Sequence, residues 1–334
     1  MDAWVVNAGR PRAAPATKGS VMVLAGALWL GLGCLGLQGD YAAHDPAVIR
    51  AGDWYWLYST GDGLPMRRSR DLLTWERCGR VLAALPGWAS AAVPGATWLW
   101  APDISRVGDE YRLYYSVSTF GSNRSCIGLA VNHALDPADP AYRWEDRGLV
   151  VASQPGDDYN AIDPNLIVDD QGRHWLAFGS FWSGIKLRRL DPATGLADAA
   201  TAELVSLARR PVAAGAVEAP FIVRRDGWYY LFVSFDLCCK GADSTYRIMV
   251  GRAREVTGPY LARDGQAMLD GGATELLAGS GTRRGPGHNA VLADGDRWWL
   301  VHHYYDAADR GRAKLSVCPL TFDESGWPVA GDPL

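Results

Sequence analysis

One short pattern occurs five times along this chain of 334 residues. In each copy an apolar segment is followed by a turn that contains Gly, and then by a second apolar segment rich in aromatic residues. A Gly among polar residues between two apolar runs predicts a β-hairpin. The paired segments are residues 44–49 and 54–58, 101–104 and 111–115, 163–168 and 174–178, 215–223 and 228–234, and 288–292 and 298–301.

The spacing of the five copies indicates the architecture. When Pro46, Pro102, Pro164, Pro220 and Ala290 are superimposed, the steps between copies are 56, 62, 56 and 70 residues. A repeat near this length that is built from strands predicts a propeller, and five copies predict five blades. We therefore predict an all-β, five-bladed β-propeller. We also expect outer strands over residues 79–82 in blade one and residues 200–205 in blade three.

Three acidic residues occupy similar places in three different copies. Asp45, Asp163 and Glu218 each stand at the start of a predicted inner strand. In a propeller the inner strands line a central channel, so corresponding positions converge around one axis. We therefore expect the three carboxylates to meet at one mouth of the channel and to form the active site there. Asp103 follows its Pro instead of preceding it, and strand alternation should turn it to the other face.

The N-terminal region has the layout of a signal peptide. Residues 19–39 lack charge, residues 21–32 are strongly apolar, and Arg10, Arg12 and Lys18 precede them. We predict a leader over residues 1–36, a single propeller domain over residues 37–334, and a secreted or periplasmic protein. The alternative is an uncleaved membrane anchor, because the run is near the length that spans a bilayer.

Composition narrows the function further. The chain is 48% hydrophobic, with a net charge of −4 and no dense basic run, so we expect no nucleic-acid partner. Fifteen Trp and fourteen Tyr provide strand packing and also suit stacking against sugars. The five cysteines beyond Cys34 are an odd number without a CxxC pair, which argues against a disulfide framework or a structural zinc site.

The three carboxylates suit the hydrolysis of a glycosidic bond. Inversion requires one carboxylic acid that protonates the leaving oxygen and one carboxylate that activates water, about 6.5–9.5 Å apart. A third carboxylate nearby raises the pKa of the acid by repulsion. Acidic residues before Pro are also common in turns, so the spacing by itself leaves a purely structural role open for each.

Several motifs together resemble glycoside hydrolase family 43, and in particular its endo-1,5-α-L-arabinanases. The resemblance covers residues 37–334. The motifs are His44-Asp45-Pro46, Trp100-Ala-Pro-Asp103, Ser116-Val-Ser-Thr-Phe-Gly-Ser122, Asn160-Ala-Ile-Asp-Pro-Asn165, Gly179-Ser-Phe-Trp-Ser-Gly184, Val217-Glu-Ala-Pro220, Cys238-Cys-Lys-Gly-Ala-Asp-Ser-Thr-Tyr246 and Gly285-Pro-Gly-His-Asn289.

This resemblance implies an inverting enzyme that cleaves internal α-1,5-linked arabinofuranose bonds of arabinan. By motif position, Asp45 would be the general base, Glu218 the general acid, and Asp163 the residue that raises the pKa of Glu218 and orients it. The implied partner is a polysaccharide, plant cell-wall arabinan and its oligosaccharides, and we expect a monomer. The implied substrate-binding residues are Asp45, Trp100, Phe120, Gly121, Asn160, Ala161, Ile162, Asp163, Ser180, Phe181 and Trp182.

The resemblance also implies a metal ion. His288 matches the channel histidine of the family, which binds a metal directly or through water. We expect calcium there in preference to zinc, because no cluster of Cys and His surrounds His288 in the sequence. Cys238 and Cys239 match the family pattern as well, either as a vicinal disulfide or as two thiols.

Three other functions compete with endo action. An exo-acting α-L-arabinofuranosidase or β-xylosidase of the same family would keep the same acids and close the groove with a loop. A non-catalytic sugar-binding propeller would lack or misplace at least one of the three acids, and all three are present. A retaining propeller enzyme acting on fructans would place a nucleophile about 5–5.5 Å from the acid.

Overall fold

The computed structural model describes residues 36–334, which form a five-bladed β-propeller, as the repeat predicts. The apolar segments of each copy pair as antiparallel strands, and each blade follows the order of the chain from its inner to its outer strand. Blade one contains β2 (Ala47–Ala51), β3 (Trp54–Tyr58), β4 (Pro65–Ser69) and β5 (Thr74–Arg80), and β1 (Gln38–Gly39) pairs with β5 in parallel.

The other four blades each contain four strands. Blade two contains β6 (Trp100–Val107), β7 (Glu110–Val117), β8 (Ser125–Asn132) and β9 (Glu145–Ser153). Blade three contains β10 (Asn165–Val168), β11 (His174–Phe178), β12 (Ile185–Leu190) and β13 (Leu204–Ala208). Blade four contains β14 (Val217–Arg225), β15 (Trp228–Phe235), β16 (Arg247–Ala253) and β17 (Thr274–Ala278). Blade five contains β18 (Arg283–Asp294), β19 (Arg297–Asp306), β20 (Arg312–Phe322) and β21 (Pro328–Ala330).

Within residues 36–334, helices occur only in the connections between strands. The α-helix α1 (Gly87–Ala92) joins blades one and two. Short 3₁₀ turns lie at Ala213–Gly215, Gly241–Asp243, Met268–Asp270 and Ala307–Asp309. Within that same range, no helix is long and apolar enough to cross a bilayer. The predicted leader lies outside the described residues, except for its last position.

Two predicted outer strands were placed wrongly. The outermost strand of blade one is β5, so it covers residues 74–80 and ends before residue 81. In blade three β13 begins at Leu204, so most of the segment 200–205 precedes the strand. Both segments lie at blade edges, where fewer neighbours constrain the strand register than in the buried inner strands.

The ring closes by side-chain packing between blade five and blade one. Val48 and Leu57 of blade one are buried against Leu292, Val301 and Val317 of blade five. Burial of such aliphatic side chains contributes about 1.5–3 kcal/mol each. In each of the five described sheets the blade strands come from one continuous stretch of chain, so the termini close the ring without exchanging a strand between first and last blades.

The N-terminal segment also contributes to this closure. The backbone carbonyl of Tyr41 accepts a hydrogen bond from the N–H of Leu315 in β20 at 2.8 Å. Leu37 and Tyr41 pack against the same apolar cluster. Arg67 holds the segment from blade one, with its Nε 3.2 Å from Oδ1 of Asp40. The few residues before His44 therefore fasten blade one to blade five.

Candidate active site

Each inner strand, or the segment just before it, contains a non-glycine residue in the left-handed backbone region. The φ values are 51° for Asp45, 45° for Ala101, 60° for Asp163, 55° for Ala219 and 49° for His288. In blades two, four and five the strand register shifts at this point, which marks a β-bulge. A non-Gly residue in this region costs about 1–3 kcal/mol, so the surrounding structure must hold it there.

This geometry corrects the alignment of the repeats. The superposition on Ala290 matched Asn289 to Asp45 and Asp163. The true counterpart is His288, because it carries the left-handed φ of its blade. Glu218 lies one residue before the left-handed position, which Ala219 occupies in blade four. The three acids therefore come from two different positions of the bulge, although all three face the same cavity.

A ring of hydrogen bonds holds the five left-handed residues. In every blade the backbone N–H of this residue donates to a side chain of the preceding blade. For blade one the acceptor belongs to blade five, which closes the ring. The five bonds run from Ala101 to Oγ1 of Thr60 (2.8 Å), from Asp163 to Oγ of Ser116 (2.9 Å), from Ala219 to Oδ2 of Asp163 (3.1 Å), from His288 to Oγ of Ser234 (2.8 Å) and from Asp45 to Nδ1 of His303 (3.1 Å).

A cavity of about 1110 Å³ opens at this end of the channel. Twelve of the thirteen predicted site residues line it, namely Asp45, Trp100, Phe120, Gly121, Asn160, Ile162, Asp163, Ser180, Phe181, Trp182, Glu218 and His288. Ala161 does not. Its side chain is buried in the core between blades two and three, and its N–H donates to Oγ of Ser153 at 2.9 Å. Ala161 lies in the connection before β10, and its side chain packs into the core while its neighbours Asn160 and Ile162 face the cavity.

Other residues of the cavity were missed by the sequence reasoning. Trp98, which is 55% exposed, lies on the rim in the connection just before β6. Tyr246 and Lys240 come from blade four. His44 stands in the motif that contains Asp45, and its role was not inferred.

Asp45 is enclosed by hydrogen-bonding and ionic partners. Its Oδ2 accepts from the Thr60 hydroxyl at 2.5 Å and lies 2.8 Å from Nδ1 of His44. Its Oδ1 lies 3.1 Å from Nδ1 of His288. Burial acts to raise the pKa of Asp45, but His44 and His288 outweigh it and hold that pKa far below its usual range. A carboxylate that stays ionised can accept a proton from water.

Glu218, in contrast to Asp45, has a raised pKa. Its Oε2 accepts a hydrogen bond from Oγ of Ser180 at 2.5 Å, and its side chain is buried. Burial raises the pKa of Glu218 to about 7, with a further increase from the charge of Asp45, while Ser180 and His44 oppose the shift. A carboxyl group with this pKa retains its proton in mildly acidic solution and can donate it.

Asp163 also has a raised pKa. Burial is the main cause, the charges of Glu218 and Asp45 add to it, and the hydrogen bond from Ala219 opposes it. A repulsion between two carboxylates acts on both partners, so we expect Asp163 and Glu218 to titrate as a pair. In this geometry the burial of Glu218 and the charge of Asp45 raise its pKa, in addition to any contribution from Asp163.

Asp103 faces away from the cavity, as the strand alternation predicts. Its carboxylate accepts hydrogen bonds from Nδ2 of Asn165 at 3.1 Å and from the N–H of Leu166 at 2.8 Å. Burial raises its pKa to about 6, although both hydrogen bonds oppose that shift. Asp103 thus links blade two to blade three and takes no part in the cavity.

The two adjacent cysteines form a disulfide at the cavity wall. The backbone N–H of Cys239 donates to the hydroxyl of Tyr305 at 2.8 Å. That hydroxyl lies 2.7 Å from Nε2 of His44, whose other ring nitrogen faces Asp45. The disulfide segment is therefore connected to Asp45 through two side chains.

Groups that could bind a metal surround Asp45. Within residues 36–334, ligand atoms of His44, Asp45 and His303 lie within 4.8 Å of one another. His288 touches the same carboxylate from the cavity side. Nδ1 of His288 is turned to Asp45, so Nε2 is the nitrogen that remains to bind a cation, and burial lowers the pKa of His288, which favours the neutral ring. A ring that donates to a carboxylate through one nitrogen is the usual state of a metal-binding histidine.

Comparison with known proteins agrees with this geometry. The family model for glycosyl hydrolases family 43 matches residues 38–328. The extracellular exo-α-(1→5)-L-arabinofuranosidase ArbA of Cellvibrio japonicus is 43% identical over 307 residues, which cover 89% of this chain and 88% of that relative. The extracellular endo-α-(1→5)-L-arabinanase 1 of Bacillus subtilis is 44% identical over 290 residues, which cover 85% of this chain and 86% of that relative.

A solved structure shows the same fold. The structure of Cellvibrio cellulosa α-L-arabinanase complexed with arabinohexaose superimposes with a TM-score of 0.83 at 42% identity, covering 86% of this chain and 95% of that one. A buried acid and an ionised carboxylate at the mouth of the propeller are the pair of groups that a glycoside hydrolase uses, and the family match shows that this chain is one. The chain belongs to glycosyl hydrolases family 43.

Proposed function

We propose that this glycoside hydrolase cleaves internal α-1,5-L-arabinofuranosidic bonds of arabinan. The substrate class is supported by the relatives, which are named arabinanases and arabinofuranosidases, and by the arabinohexaose in one of the similar structures. The observation that carries endo action is the rim of the cavity. Phe120, Trp98 and Trp182 are 80%, 55% and 41% exposed, and they extend over two blades, which suits a sugar chain that continues beyond the cleavage point.

Inversion is the stereochemical part of this proposal. Asp45 would remove a proton from water as the water attacks the anomeric carbon, and Glu218 would protonate the departing glycosidic oxygen. The low pKa of Asp45 and the raised pKa of Glu218 support this division of roles. Asp163 would hold the strand of Glu218 through the Ala219 N–H and add negative charge beside the acid when ionised.

The remaining cavity residues would bind sugar. Trp100, Phe120, Phe181 and Trp182 would present their aromatic faces to arabinofuranose rings, and Asn160 and Ser180 would form hydrogen bonds to hydroxyl groups. Gly121 and Ile162 would shape the wall. Ala161 would act only through its backbone position.

A metal ion near His288 is a further part of the proposal. Neutral His288 fits as one ligand, with water completing the shell, and a water-rich shell suits calcium. When bound, the cation would add positive charge beside Asp45.

Secretion is proposed from the N-terminal sequence and from the two relatives that are named extracellular. The leader would cover residues 1–36 and the catalytic domain residues 37–334. We also propose that the enzyme acts as a monomer, because all three acids and the cavity around them belong to one chain.

Exo action is the second candidate, because the exo-acting relative is as similar to this chain as the endo-acting one. Linear, debranched arabinan distinguishes the two modes. We expect a rapid fall in viscosity and a ladder of oligosaccharides within the first minutes. A product consisting from the outset of a single short sugar, with the viscosity nearly constant, would establish exo action.

A further inference from the structure

His303 closes the ring of hydrogen bonds at the residue assigned as the base. It lies in β19, its side chain is fully buried, and its Nδ1 accepts the backbone N–H of Asp45 at 3.1 Å. An amide N–H can only donate, so Nδ1 carries a lone pair. The bond holds Asp45 in its left-handed conformation with φ of 51°.

Blade five is exceptional in using an imidazole for this bond. Strand register makes His303 the counterpart of Ser116 and Ser234, because Gly287 pairs with His303 as Trp100 pairs with Ser116 and Glu218 with Ser234. A hydroxyl makes the equivalent backbone bond in three other blades. The backbone bond alone therefore does not require a histidine.

The imidazole adds a second contact that a hydroxyl could not make. The rings of His303 and His44 stack with centroids 4.1 Å apart and an angle of 21° between their planes. His44 in turn places Nδ1 2.8 Å from Oδ2 of Asp45. His303 thus supports Asp45 twice, through its backbone N–H and through the histidine that contacts its carboxylate.

We propose that His303 is a positioning residue that orients the carboxylate of Asp45 toward the attacking water. The proposal rests on the assignment of Asp45 as the base. His303 does not line the cavity, so it acts on the reaction through Asp45 and His44. Its loss should lower kcat and leave the binding of substrate, measured by KM, nearly unchanged.

A metal-binding role for His303 is the competing explanation, because its ligand atoms lie close to those of His44 and Asp45. The geometry favours positioning, since the lone pair of Nδ1 is used by the Asp45 N–H. The metal content of each variant distinguishes the two roles.

His303→Asn and His303→Leu form a matched pair of nearly equal size. Asn places an oxygen where Nδ1 stands, and Leu offers no acceptor. On linear arabino-oligosaccharides we expect the Leu variant to lose about 100-fold in kcat, as misplacement of a catalytic group does, with KM within about twofold. The kcat of the Asn variant should be about tenfold higher than that of the Leu variant, because Asn restores one hydrogen bond.

Three controls complete the experiment. His303→Gln carries its oxygen at the Nε2 position and should behave as the Leu variant does, which keeps the comparison usable if the Leu variant does not fold. His174→Asn changes a buried histidine outside the cavity and should leave kcat unchanged. Asp45→Asn, assayed in parallel, should be inactive; if it is active, the base assignment fails, whatever His303 does.

The proposal is overturned if the Asn, Gln and Leu variants share one kcat, or if KM rises as much as kcat falls. It is also overturned if the loss of activity in each variant follows the loss of a bound metal ion, as measured by mass spectrometry of the purified protein.

Discussion

Oδ2 of Asp163 accepts the backbone N–H of Ala219 at 3.1 Å, and Ala219 directly follows Glu218. In the other four blades this bond is made by Thr60, Ser116, Ser234 and His303. In blade three the residue at that point is Gly179, whose N–H donates to the carbonyl of Ile162 at 2.8 Å and which offers no side chain. The carboxylate of Asp163 fills this gap, so one residue both fixes the strand of Glu218 and places a carboxylate near it.

The division of roles between the two principal acids predicts a difference between substrates. Glu218→Gln should reduce activity on arabinan by about 100-fold or more, because general acid catalysis contributes this much. On an aryl arabinofuranoside the loss should be much smaller, because a good leaving group needs little protonation. Asp45→Asn should abolish activity on both substrates. Equal inactivity of Glu218→Gln on both, with an active Asp45→Asn, would require the two roles to be exchanged.

The raised pKa of Glu218 predicts the alkaline limb of the pH–rate profile. Glu218 must hold its proton to donate it, so the rate should fall as pH rises through about 7. Asp163→Asn removes a negative charge near the acid, so the limb should move to lower pH and the maximal rate should fall. An unchanged limb in this variant would show that Asp163 is already protonated when Glu218 titrates.

Ser180→Ala should move the same limb in the opposite direction. The Ser180 hydroxyl donates to Oε2 of Glu218 at 2.5 Å and thereby stabilises its ionised form. Without that donor the pKa of Glu218 should rise, and the rate should persist to higher pH. The measurement is kcat/KM against pH for this variant beside Asp163→Asn; shifts of the same sign in both would contradict the electrostatic account.

Asp294 should stabilise the contact that closes the ring. Its carboxylate accepts a hydrogen bond from the Tyr55 hydroxyl at 2.6 Å, and Arg50 of blade one forms an ion pair with it. We expect Asp294→Ala to lower the free energy of unfolding by about 2 kcal/mol, since it leaves Tyr55 without its acceptor. Asp170→Ala, which breaks an exposed pair with Arg224, should change it by less than about 0.5 kcal/mol.

The stabilisation by Asp294 should depend on pH in a defined direction. Burial acts to raise its pKa, but the hydrogen bonds from Tyr55 and Arg50 outweigh burial and lower that pKa below its usual value. A group with a lowered folded pKa stabilises the fold above its unfolded pKa, about 3.9, and loses this effect as pH falls. The difference in unfolding free energy between wild type and Asp294→Ala should therefore shrink in urea titrations below about pH 4.

Removal of the proposed metal should lower both the activity and the thermal stability of the enzyme. We expect chelation followed by gel filtration to lower activity and the thermal midpoint, and calcium to restore both. His288→Gln should bind less metal than wild type in mass spectrometric analysis. An enzyme that contains no ion after purification, and that is unaffected by chelation, would rule out the metal.

The repeat was sufficient to predict the fold, because the second strand of each hairpin is buried over most of its length and carries a regular apolar pattern. Phe221 and Trp228 mark their hairpin as clearly in the sequence as in the structure. The predicted bounds of the edge strands β5 and β13 were wrong, because few neighbours fix the strand register at the edge of a blade.

The site was only partly predictable. Strand position and motif resemblance were enough to predict that Asp45, Asp163 and Glu218 meet at one cavity. The left-handed residues at the bulges could be identified only from the structure. His303 lies 258 residues from Asp45 in the chain, and no local pattern connects them. Ala161 stands within a motif of the family, but its side chain is buried in the core between blades two and three.

The configuration of the first product tests the central claim most directly. If Asp45 activates water for direct displacement, hydrolysis of an α-1,5-linked arabino-oligosaccharide inverts the anomeric carbon. Proton NMR spectra recorded in the first minutes at high enzyme concentration should show the β-anomer of the new reducing end before mutarotation. Initial formation of the α-anomer would mean retention through a covalent intermediate, and would contradict the roles assigned to Asp45 and Glu218.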